Sequence, residues 1–315
     1  MSLRNSLIII LAFFCFCSEQ VWALYSDTGM GARASGMGNV FTGVANDSYA
    51  LYYNPAGLGV VRNMGMGSTY SKYYSGMTDG TEIFEADLSI VIPDNKSGFG
   101  FYWQETGLRH YYSEDTLAVG YGFRPFNTLA AGFAVKMRSI GYALNDLTNF
   151  NNVFSVKGKS ALSLDAGLLY GVMPGVNAGL VVQDILQPNL GLLDDSIVPM
   201  TIRAGIAWYP IVKARADLLI CVDGSIANGK MIFSAGAEGW VISKTACVRA
   251  GYTTGSEGLS QVSGGAGYKF AQILPGTSLQ LDYAFEMSLS YSDLGPNHRF
   301  SVNVLFDPPP AVIKQ

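Results

Sequence analysis

Residues 277–291 read Thr-Ser-Leu-Gln-Leu-Asp-Tyr-Ala-Phe-Glu-Met-Ser-Leu-Ser-Tyr. One face of this stretch carries Leu279, Leu281, Tyr283, Phe285, Met287, Leu289 and Tyr291, and the other carries Ser278, Gln280, Asp282, Ala284, Glu286, Ser288 and Ser290. A repeat of two residues is typical of a β-strand whose faces meet different surroundings. Fifteen residues exceed the ~5–6 of a globular strand but suit a tilted membrane strand that extends beyond the bilayer.

The same alternation recurs elsewhere in the chain. One apolar row consists of Ala214, Ala216, Leu218, Ile220 and Val222, and it alternates with Lys213, Arg215, Asp217, Cys221 and Asp223. A second apolar row, Leu129, Ala131, Phe133, Val135 and Met137, lies opposite Lys136 and Arg138. A third, Ile202, Ala204, Ile206 and Trp208, lies opposite Arg203. A single strand of this kind would also fit a soluble sandwich that buries its apolar row. Because the pattern repeats, we favour a barrel whose apolar rows face lipid.

Gly, Pro, Asn and Asp clusters divide the chain into fourteen predicted strands. They are 61–74, 81–92, 96–106, 109–124, 127–142, 159–173, 175–184, 199–210, 213–224, 230–242, 244–254, 258–270, 276–291 and 297–306. The even number and the short connections predict an all-β, antiparallel up-and-down transmembrane barrel in which every backbone amide is paired. We expect the longer connections around Asn145–Lys157 and Gln187–Ser196 to form extracellular loops or inserts in the lumen, and aromatic residues near strand ends to form interfacial girdles.

The composition excludes several other classes of protein. Of 315 residues, 49% are hydrophobic, 14% are charged and 37 are glycine, whereas soluble domains average about 25% charged residues and about 7% glycine. A net charge of −4 provides no basic surface for nucleic acid, and a mean hydropathy of +0.22 excludes a disordered chain. The apolar run at residues 7–17 is too short for a membrane helix, which needs ~20 residues.

The first residues have the three parts of a secretory signal peptide. Arg4 precedes the apolar run 7–17, and Val21-Trp22-Ala23 provides a cleavage site after Ala23. We therefore predict a signal peptide at 1–23 and an outer-membrane location. Removal of this peptide leaves Cys221 and Cys247, which do not form a disulfide framework.

Residues 24–60 do not alternate and are predicted to form a compact plug ahead of the barrel at 61–306, with residues 307–315 as a periplasmic tail. Five glycines, Gly29, Gly31, Gly36, Gly38 and Gly43, lie in its first half. Asn46 or Asp47 is a candidate cap for a short helix through Tyr53. That helix is expected to end near Asn54, because Pro55 disfavours a helical conformation in the preceding residue.

Two stretches of this segment carry a family resemblance, Gly36-Met37-Gly38-Asn39-Val40-Phe41-Thr42-Gly43-Val44-Ala45-Asn46-Asp47 and Ala50-Leu51-Tyr52-Tyr53-Asn54-Pro55-Ala56-Gly57-Leu58. They resemble the N-terminal signature of the FadL/TodX outer-membrane superfamily, and more specifically its PorV/PorQ branch. Shorter matches at 179–185, 198–205, 249–252, 282–285 and 294–301 extend the resemblance over nearly the whole mature chain. The resemblance implies a hatch in a fourteen-stranded barrel that moves to admit hydrophobic substrates, with Gly36, Gly38, Asn39, Asn54, Pro55, Ala56 and Gly57 as its motif residues. For the PorV/PorQ branch it implies a role in type IX secretion, holding protein cargo at the cell surface.

The last strand carries Phe300, Val302, Val304 and Phe306 on one face. A final strand that ends on an aromatic residue resembles the insertion signal of outer-membrane barrels. The expected partners are therefore membrane lipid and, during insertion, the barrel-assembly machinery.

We expect no enzyme activity, cofactor or metal. Gly224–Lys230 matches part of a phosphate loop, but Met231 replaces the Ser or Thr and no helical pattern follows, so a hairpin turn is favoured. Gly29–Ala34 resembles a dinucleotide fingerprint without a preceding strand. The only histidines are His110 and His298, which are few for a histidine-based metal site or for a nucleophile activated by histidine.

Charged residues on the polar strand faces are predicted to line the lumen. They are Lys136, Arg138, Arg203, Arg215 and Arg249, with Asp165, Asp217, Asp282 and Glu286 as possible ion-pair partners that hold plug and wall together. Two functions remain open, transport of hydrophobic small molecules of the long-chain fatty acid type and PorV-like binding of secreted cargo. A continuous apolar cavity would favour transport, and an occluded lumen with exposed rim loops would favour a protein partner.

Overall fold

The computed structural model describes residues 28–77, 82–143, 158–192, 194–213, 216–290 and 292–306. Fourteen antiparallel strands form a closed barrel in which β1 pairs with β14, with Met64 opposite Phe306 and Lys72 opposite His298. The predicted fold class is confirmed. The predicted signal peptide and tail, the connection Asn145–Lys157 and Arg215 lie outside the described residues.

The strands follow one another around the barrel in chain order. They are β1 (Met64–Tyr73), β2 (Ile83–Asp94), β3 (Ser97–Leu108), β4 (Tyr112–Phe126), β5 (Leu129–Tyr142), β6 (Gly158–Met173), β7 (Val176–Gln183), β8 (Thr201–Val212), β9 (Asp217–Ala227), β10 (Lys230–Val241), β11 (Ala246–Gly255), β12 (Ser260–Leu274), β13 (Thr277–Ser288) and β14 (Asn297–Phe306). The largest differences from the predicted bounds are at β9, which begins at Asp217 rather than 213, and at β12, which ends at Leu274 rather than 270.

The two faces of the wall differ as the alternation predicts. In β13, Gln280, Asp282 and Glu286 are buried in the lumen, while Leu281 and Phe285 are exposed on the outside. The outer face also carries clustered aromatic rings, such as Phe99 against Tyr121 and Tyr268 against Phe270. An apolar exterior around a closed, fully paired sheet is what a lipid bilayer requires of a spanning barrel. None of the described helices is long and apolar enough to cross a membrane.

Connections at the two ends of the barrel differ in length. Residues 95–96, 127–128, 174–175, 213–216, 242–245 and 275–276 connect strands at one end, here called the turn end, where β1 also begins and β14 ends. Residues 74–82, 109–111, 143–157, 184–200, 228–229, 256–259 and 289–296 connect strands at the opposite, loop end. In outer-membrane barrels the shorter turns are periplasmic and the longer loops extracellular.

Residues 28–63, here called the N-terminal segment, precede β1 and pack against the inner face of the wall. The segment contains short helices at Ala32–Ser35 and Ala50–Tyr53 and a 3-10 helix at Pro55–Gly59. Its buried apolar side chains include Phe41 and Leu51, which belong to one cluster with small wall residues such as Ala118, Ala134 and Ala207. The hydrophobic core of this protein therefore lies inside the barrel, between the segment and the wall.

The helix Ala50–Tyr53 ends as the sequence predicts but begins differently. Tyr49 is its N-cap and provides no side-chain cap, while Asp47 Oδ1 accepts a hydrogen bond from the Tyr49 amide at 2.9 Å. Asp47 thus stabilises the turn before the helix instead of capping the helix itself. Asn54 is extended, as expected before Pro55, and its Oδ1 accepts a hydrogen bond from the Ala56 amide at the start of the 3-10 helix.

The connection between β7 and β8 folds into the lumen. Leu190 is fully buried in a small cluster with Ile140 and Val198, packed by Tyr112 and Tyr142. Lys159 Nζ donates a hydrogen bond to the Gly191 carbonyl at 2.8 Å, and Asn189 pairs with Ile197. In the described part of this connection, Leu190 thus packs into the lumen as in the second alternative, while Gln187, Asp194 and Asp195 are exposed.

Candidate functional site: the lumen and its N-terminal segment

A belt of wall glycines marks where the N-terminal segment touches the barrel. A methyl group added at any of these glycines would lie within 3.0 Å of a segment atom. The belt consists of Gly67, Gly98, Gly100, Gly120, Gly122, Gly132, Gly167, Gly179, Gly236 and Gly251. Glycine permits this close backbone approach because it has no Cβ. These contacts run around much of the lumen, so the segment fits against the wall on several sides.

The motif residues Asn54, Pro55, Ala56 and Gly57 lie together at the wall, beside β5 and β6. Fully buried Asn54 donates from Nδ2 to the carbonyls of Thr42 and Leu168, each at 3.0 Å. Pro55 lies against belt glycine Gly132. Asn54 therefore ties two parts of the segment to each other and to β6.

Gly36, Gly38 and Asn39 lie at a second place, against β11, β12 and β13. The Gly36 carbonyl accepts a hydrogen bond from Ser263 Oγ at 3.4 Å, and the Gly38 carbonyl accepts one from Thr253 Oγ1 at 3.2 Å. Asn39 Nδ2 donates to Glu286 Oε1 at 3.1 Å. The motif residues are thus divided between two anchoring regions, and Gly38 and Asn39 both have a positive φ.

The predicted lumen charges form two separate clusters. In the first, Lys136 lies 2.8 Å from Asp165 and 3.1 Å from Asp184, and Arg138 lies 2.7 Å from Asp184. In the second, Arg249 lies 2.7 Å from Glu238 and 2.8 Å from Asp282. These pairs connect strands of the wall to one another or to the β7–β8 connection, so they brace the barrel.

Three of the predicted charges lie outside these two clusters. Asp217 lies at the turn end and pairs with Lys244 at 2.7 Å, a residue that was not among its predicted partners. Glu286 accepts hydrogen bonds from the segment, from Asn39 and from Ser35 Oγ at 2.6 Å. Arg203 is buried in the wall and lines a cavity between the N-terminal segment and the loop end.

Several important residues were not predicted. Asp223 Oδ2 accepts hydrogen bonds from the Phe41 and Thr42 amides at 3.1 and 3.0 Å. Arg33 forms a two-pronged ion pair with Glu238, at 2.9 and 2.8 Å. The same alternation identifies Glu238 as lumen-facing, since it lies two residues from belt glycine Gly236. No sequence pattern indicates that Arg33 would meet it.

A cavity of about 1060 Å³ lies between the N-terminal segment and the loop end. It extends to Lys230 and Glu257, which are exposed at the rim. Its apolar lining includes Tyr52, Tyr102, Val198, Ile232 and Leu259, and its uncharged polar lining includes Gln104, Thr116, Gln183, Ser225 and Gln261. Its charged lining residues are Glu114, Lys136, Arg138, Asp184, Arg203, Asp223, Lys230 and Glu257. A continuous apolar cavity, the feature that would favour transport over a protein partner, is not what the structure contains, because the lining is amphipathic.

A second cavity of about 380 Å³ lies at the turn end, on the other side of the segment. Its lining includes Arg33 and Asp47 from the segment and Trp240, Gln280 and Asn303 from the wall. The residues that line this cavity do not overlap with those that line the loop-end cavity. In this conformation the segment separates the two cavities.

The remaining motifs have structural roles. Asn228 and Gly229 form the hairpin turn between β9 and β10, both with positive φ, at the position of the phosphate-loop-like sequence. His110 lies in the β3–β4 turn. His298 Nδ1 lies 2.8 Å from the Tyr283 hydroxyl, and Cys221 and Cys247 are free and buried. In the described part of the chain, no group of three His, Cys, Asp or Glu residues is placed to hold a metal ion.

Comparison with known proteins gives structural matches only. No protein-family model and no curated protein sequence matches the chain. The fold is similar to the CymD monoaromatic hydrocarbon channel (TM-score 0.64, 12% identity, 90% of this chain and 99% of that chain). It is also similar to a Pseudomonas aeruginosa FadL homologue (0.55, 11%, 88% and 98%) and to the Pseudomonas putida toluene transporter TodX (0.54, 13%, 91% and 99%). These similarities establish a FadL/TodX-like fold; CymD is described as a channel and TodX as a transporter.

Proposed function

We propose that this protein is an outer-membrane channel that takes up small molecules with a hydrophobic part, using the N-terminal segment as a hatch. The observation that carries the proposal is the loop-end cavity, which reaches the rim and ends at the segment. The apolar exterior suits a membrane barrel. The similarity of the fold to hydrocarbon channels agrees with this proposal by analogy.

The lining favours an amphipathic solute. Tyr52, Tyr102 and Ile232 offer apolar surface, while Gln104 and Gln183 offer hydrogen bonds. Small-molecule sites commonly combine apolar walls with a few polar groups that fix orientation. A long-chain fatty acid, which the family resemblance implies, has both an apolar chain and a polar carboxyl group. A hydrocarbon, the solute named for the similar CymD channel, has only the apolar part.

Passage to the turn end requires the segment to move, since it separates the cavities. The motif residues Asn54, Pro55, Ala56 and Gly57 form one part of the hatch in this proposal, and Gly36, Gly38 and Asn39 form the other. We further propose that the barrel-assembly machinery inserts the chain through its last strand, which ends at Phe306.

The test compares cells with and without the gene. Initial uptake of a labelled long-chain fatty acid and of labelled toluene is measured, and the proteins released or attached at the cell surface are identified in the same cultures. Reduced uptake of the fatty acid with an unchanged set of surface proteins is the expected result. Unchanged uptake of both solutes would refute the transport proposal.

One observation favours a second candidate, a PorV-like secretion component. The lumen is closed by a tightly packed segment, which suits a barrel that works through its rim. In this alternative, secreted protein cargo binds at the loop end, and loss of the gene removes a set of surface proteins while uptake stays unchanged. The same experiment therefore separates the two candidates.

A further inference from the structure

Arg33 occupies a special position in the segment because it faces the turn-end cavity and also bonds to the wall. Its Nε and one terminal nitrogen bind both carboxylate oxygens of Glu238 in β10. Its other terminal nitrogen donates to Asp47 at 3.0 Å and to Asn46 at 2.8 Å. The guanidinium also lies 5.1 Å from the ring centre of Phe41. A planar guanidinium is well suited to such two-pronged binding.

Phe41 connects Arg33 to a residue of the loop-end cavity. Its ring is fully buried, and its amide is bonded to Asp223, which lines the loop-end cavity. Arg33 itself lines the turn-end cavity. Direct contacts thus lead from the turn-end cavity to the loop-end cavity, from Arg33 to the Phe41 ring and from the Phe41 amide to Asp223.

The charges at this contact are arranged so that it separates without stranding an unpaired ion. On the wall, Glu238 keeps Arg249, which also bonds to Asp282. On the segment, Arg33 keeps Asp47. Breaking a buried pair by removing one partner is costly mainly because the other charge stays uncompensated. Here each side retains a counter-charge, so separation is less costly than for an isolated buried pair.

We propose that the Arg33–Glu238 ion pair is the gate between the two cavities. Withdrawal of Arg33 together with Asp47 opens a passage beside β10 and connects the loop-end cavity to the periplasmic side. The inference rests on the proposed transport function, for which it names the contact that controls passage. Arg33 acts as a gating residue and does not need to touch the solute while the gate is closed.

The test measures single-channel currents of the full-length mature protein in planar lipid bilayers, with potassium chloride as the only permeant salt. We compare Arg33→Ala, Glu238→Gln and Arg33→Lys with the wild type. Loss of a stabilising contact shifts a two-state equilibrium, so Arg33→Ala and Glu238→Gln are expected to raise the open fraction by at least about tenfold. Arg33→Lys keeps the charge without the two-pronged geometry and should give an intermediate open fraction.

A matched control separates gating from general loosening of the segment. Ser35→Ala removes a buried hydrogen bond between the segment and Glu286, two residues from Arg33, and is expected to stay as closed as the wild type. Folding of every variant is checked by heat-dependent mobility on gels. An open fraction in Ser35→Ala equal to that of Arg33→Ala would overturn the gate, as would folded Arg33→Ala and Glu238→Gln channels that remain closed.

The outcomes also separate the gate from the proposed function. Uptake by wild-type cells together with silent Arg33→Ala channels would refute the gate and keep transport. Open Arg33→Ala channels with no gene-dependent uptake of either solute would refute transport and keep the gate as a device that seals the barrel.

Discussion

At the scale of single residues, the stability of the barrel depends on buried charges in the lumen that are paired with charges of opposite sign. Lys136 is 1% exposed and contacts two carboxylates, Asp165 and Asp184, which are nearly as buried. Removal of one member of such a cluster leaves a charge without its partner, and that cost is much larger than the cost of losing an exposed pair. The exposed pair Arg109–Glu82 at the loop end provides a direct comparison.

We therefore expect Lys136→Met to lower the free energy of unfolding by about 3–5 kcal/mol. Arg109→Met removes a pair that is partly exposed and should cost less than about 1 kcal/mol. Urea unfolding of both variants in detergent micelles measures the difference. Equal stability of the two variants would show that the lumen cluster is not the structural brace described above.

Asn54 gives a second prediction at this scale. Asn54→Ala removes two hydrogen bonds to backbone carbonyls and the bond to the Ala56 amide. Each unsatisfied buried group costs about 1–3 kcal/mol, so amides of the N-terminal segment should exchange hydrogen for deuterium faster. The exposed turn residue Asn127 supplies the control, and Asn127→Ala is expected to leave this exchange unchanged. Slow exchange in Asn54→Ala would mean that Asn54 does not hold the segment.

At the scale of elements, strands were predictable and the segment's contacts were not. A period of two residues places Gln280, Asp282 and Glu286 on one face of β13 because the side chains of a strand alternate. The same rule assigns Glu238 to the lumen. It does not indicate that Arg33 lies beside Glu238, because these residues are 205 positions apart and meet only when the segment enters the closed barrel.

The close fit between the N-terminal segment and the wall depends on the glycine belt. In β10, Gly236 faces the segment, where an added Cβ meets Met37, whereas Gly239 has no atom near its Cβ position. Gly236→Val should therefore displace the segment and make it sensitive to an added protease, while Gly239→Val should leave it protected. Proteolysis of both folded variants in proteoliposomes is the measurement. Protection of the segment in Gly236→Val would contradict the close fit.

At the scale of the whole molecule, composition and alternation sufficed for a closed fourteen-stranded wall, because a bilayer accepts only fully paired sheets. The character of the cavity was not predictable in this way. Its lining comes from the segment, from several strands and from the inward-folded β7–β8 connection, which supplies Val198 and Pro199. Such a surface depends on how distant parts of the chain meet, and strand periodicity carries no information about it.

The wall itself makes a prediction about insertion. Leu281 is exposed on the outer face of β13, and arginine on the lipid face costs up to ~2–4 kcal/mol near the bilayer midplane. Leu281→Arg should lower the fraction of protein that folds into liposomes. Gln261→Arg, which points into the loop-end cavity, should fold as well as the wild type. Equal folding of the two variants would contradict the assignment of the faces.

Transport through the lumen is tested by blocking the loop-end cavity without altering the outer wall. Thr116 is buried and lines the loop-end cavity, while its neighbour Leu117 is exposed on the outside. Initial uptake of a labelled long-chain fatty acid is measured in cells that carry wild-type, Thr116→Trp or Leu117→Trp protein at equal levels in the outer membrane. If the solute passes through this cavity, Thr116→Trp lowers uptake toward that of cells without the gene, while Leu117→Trp matches the wild type. Uptake that is the same in all three strains would contradict a transport route through this lumen.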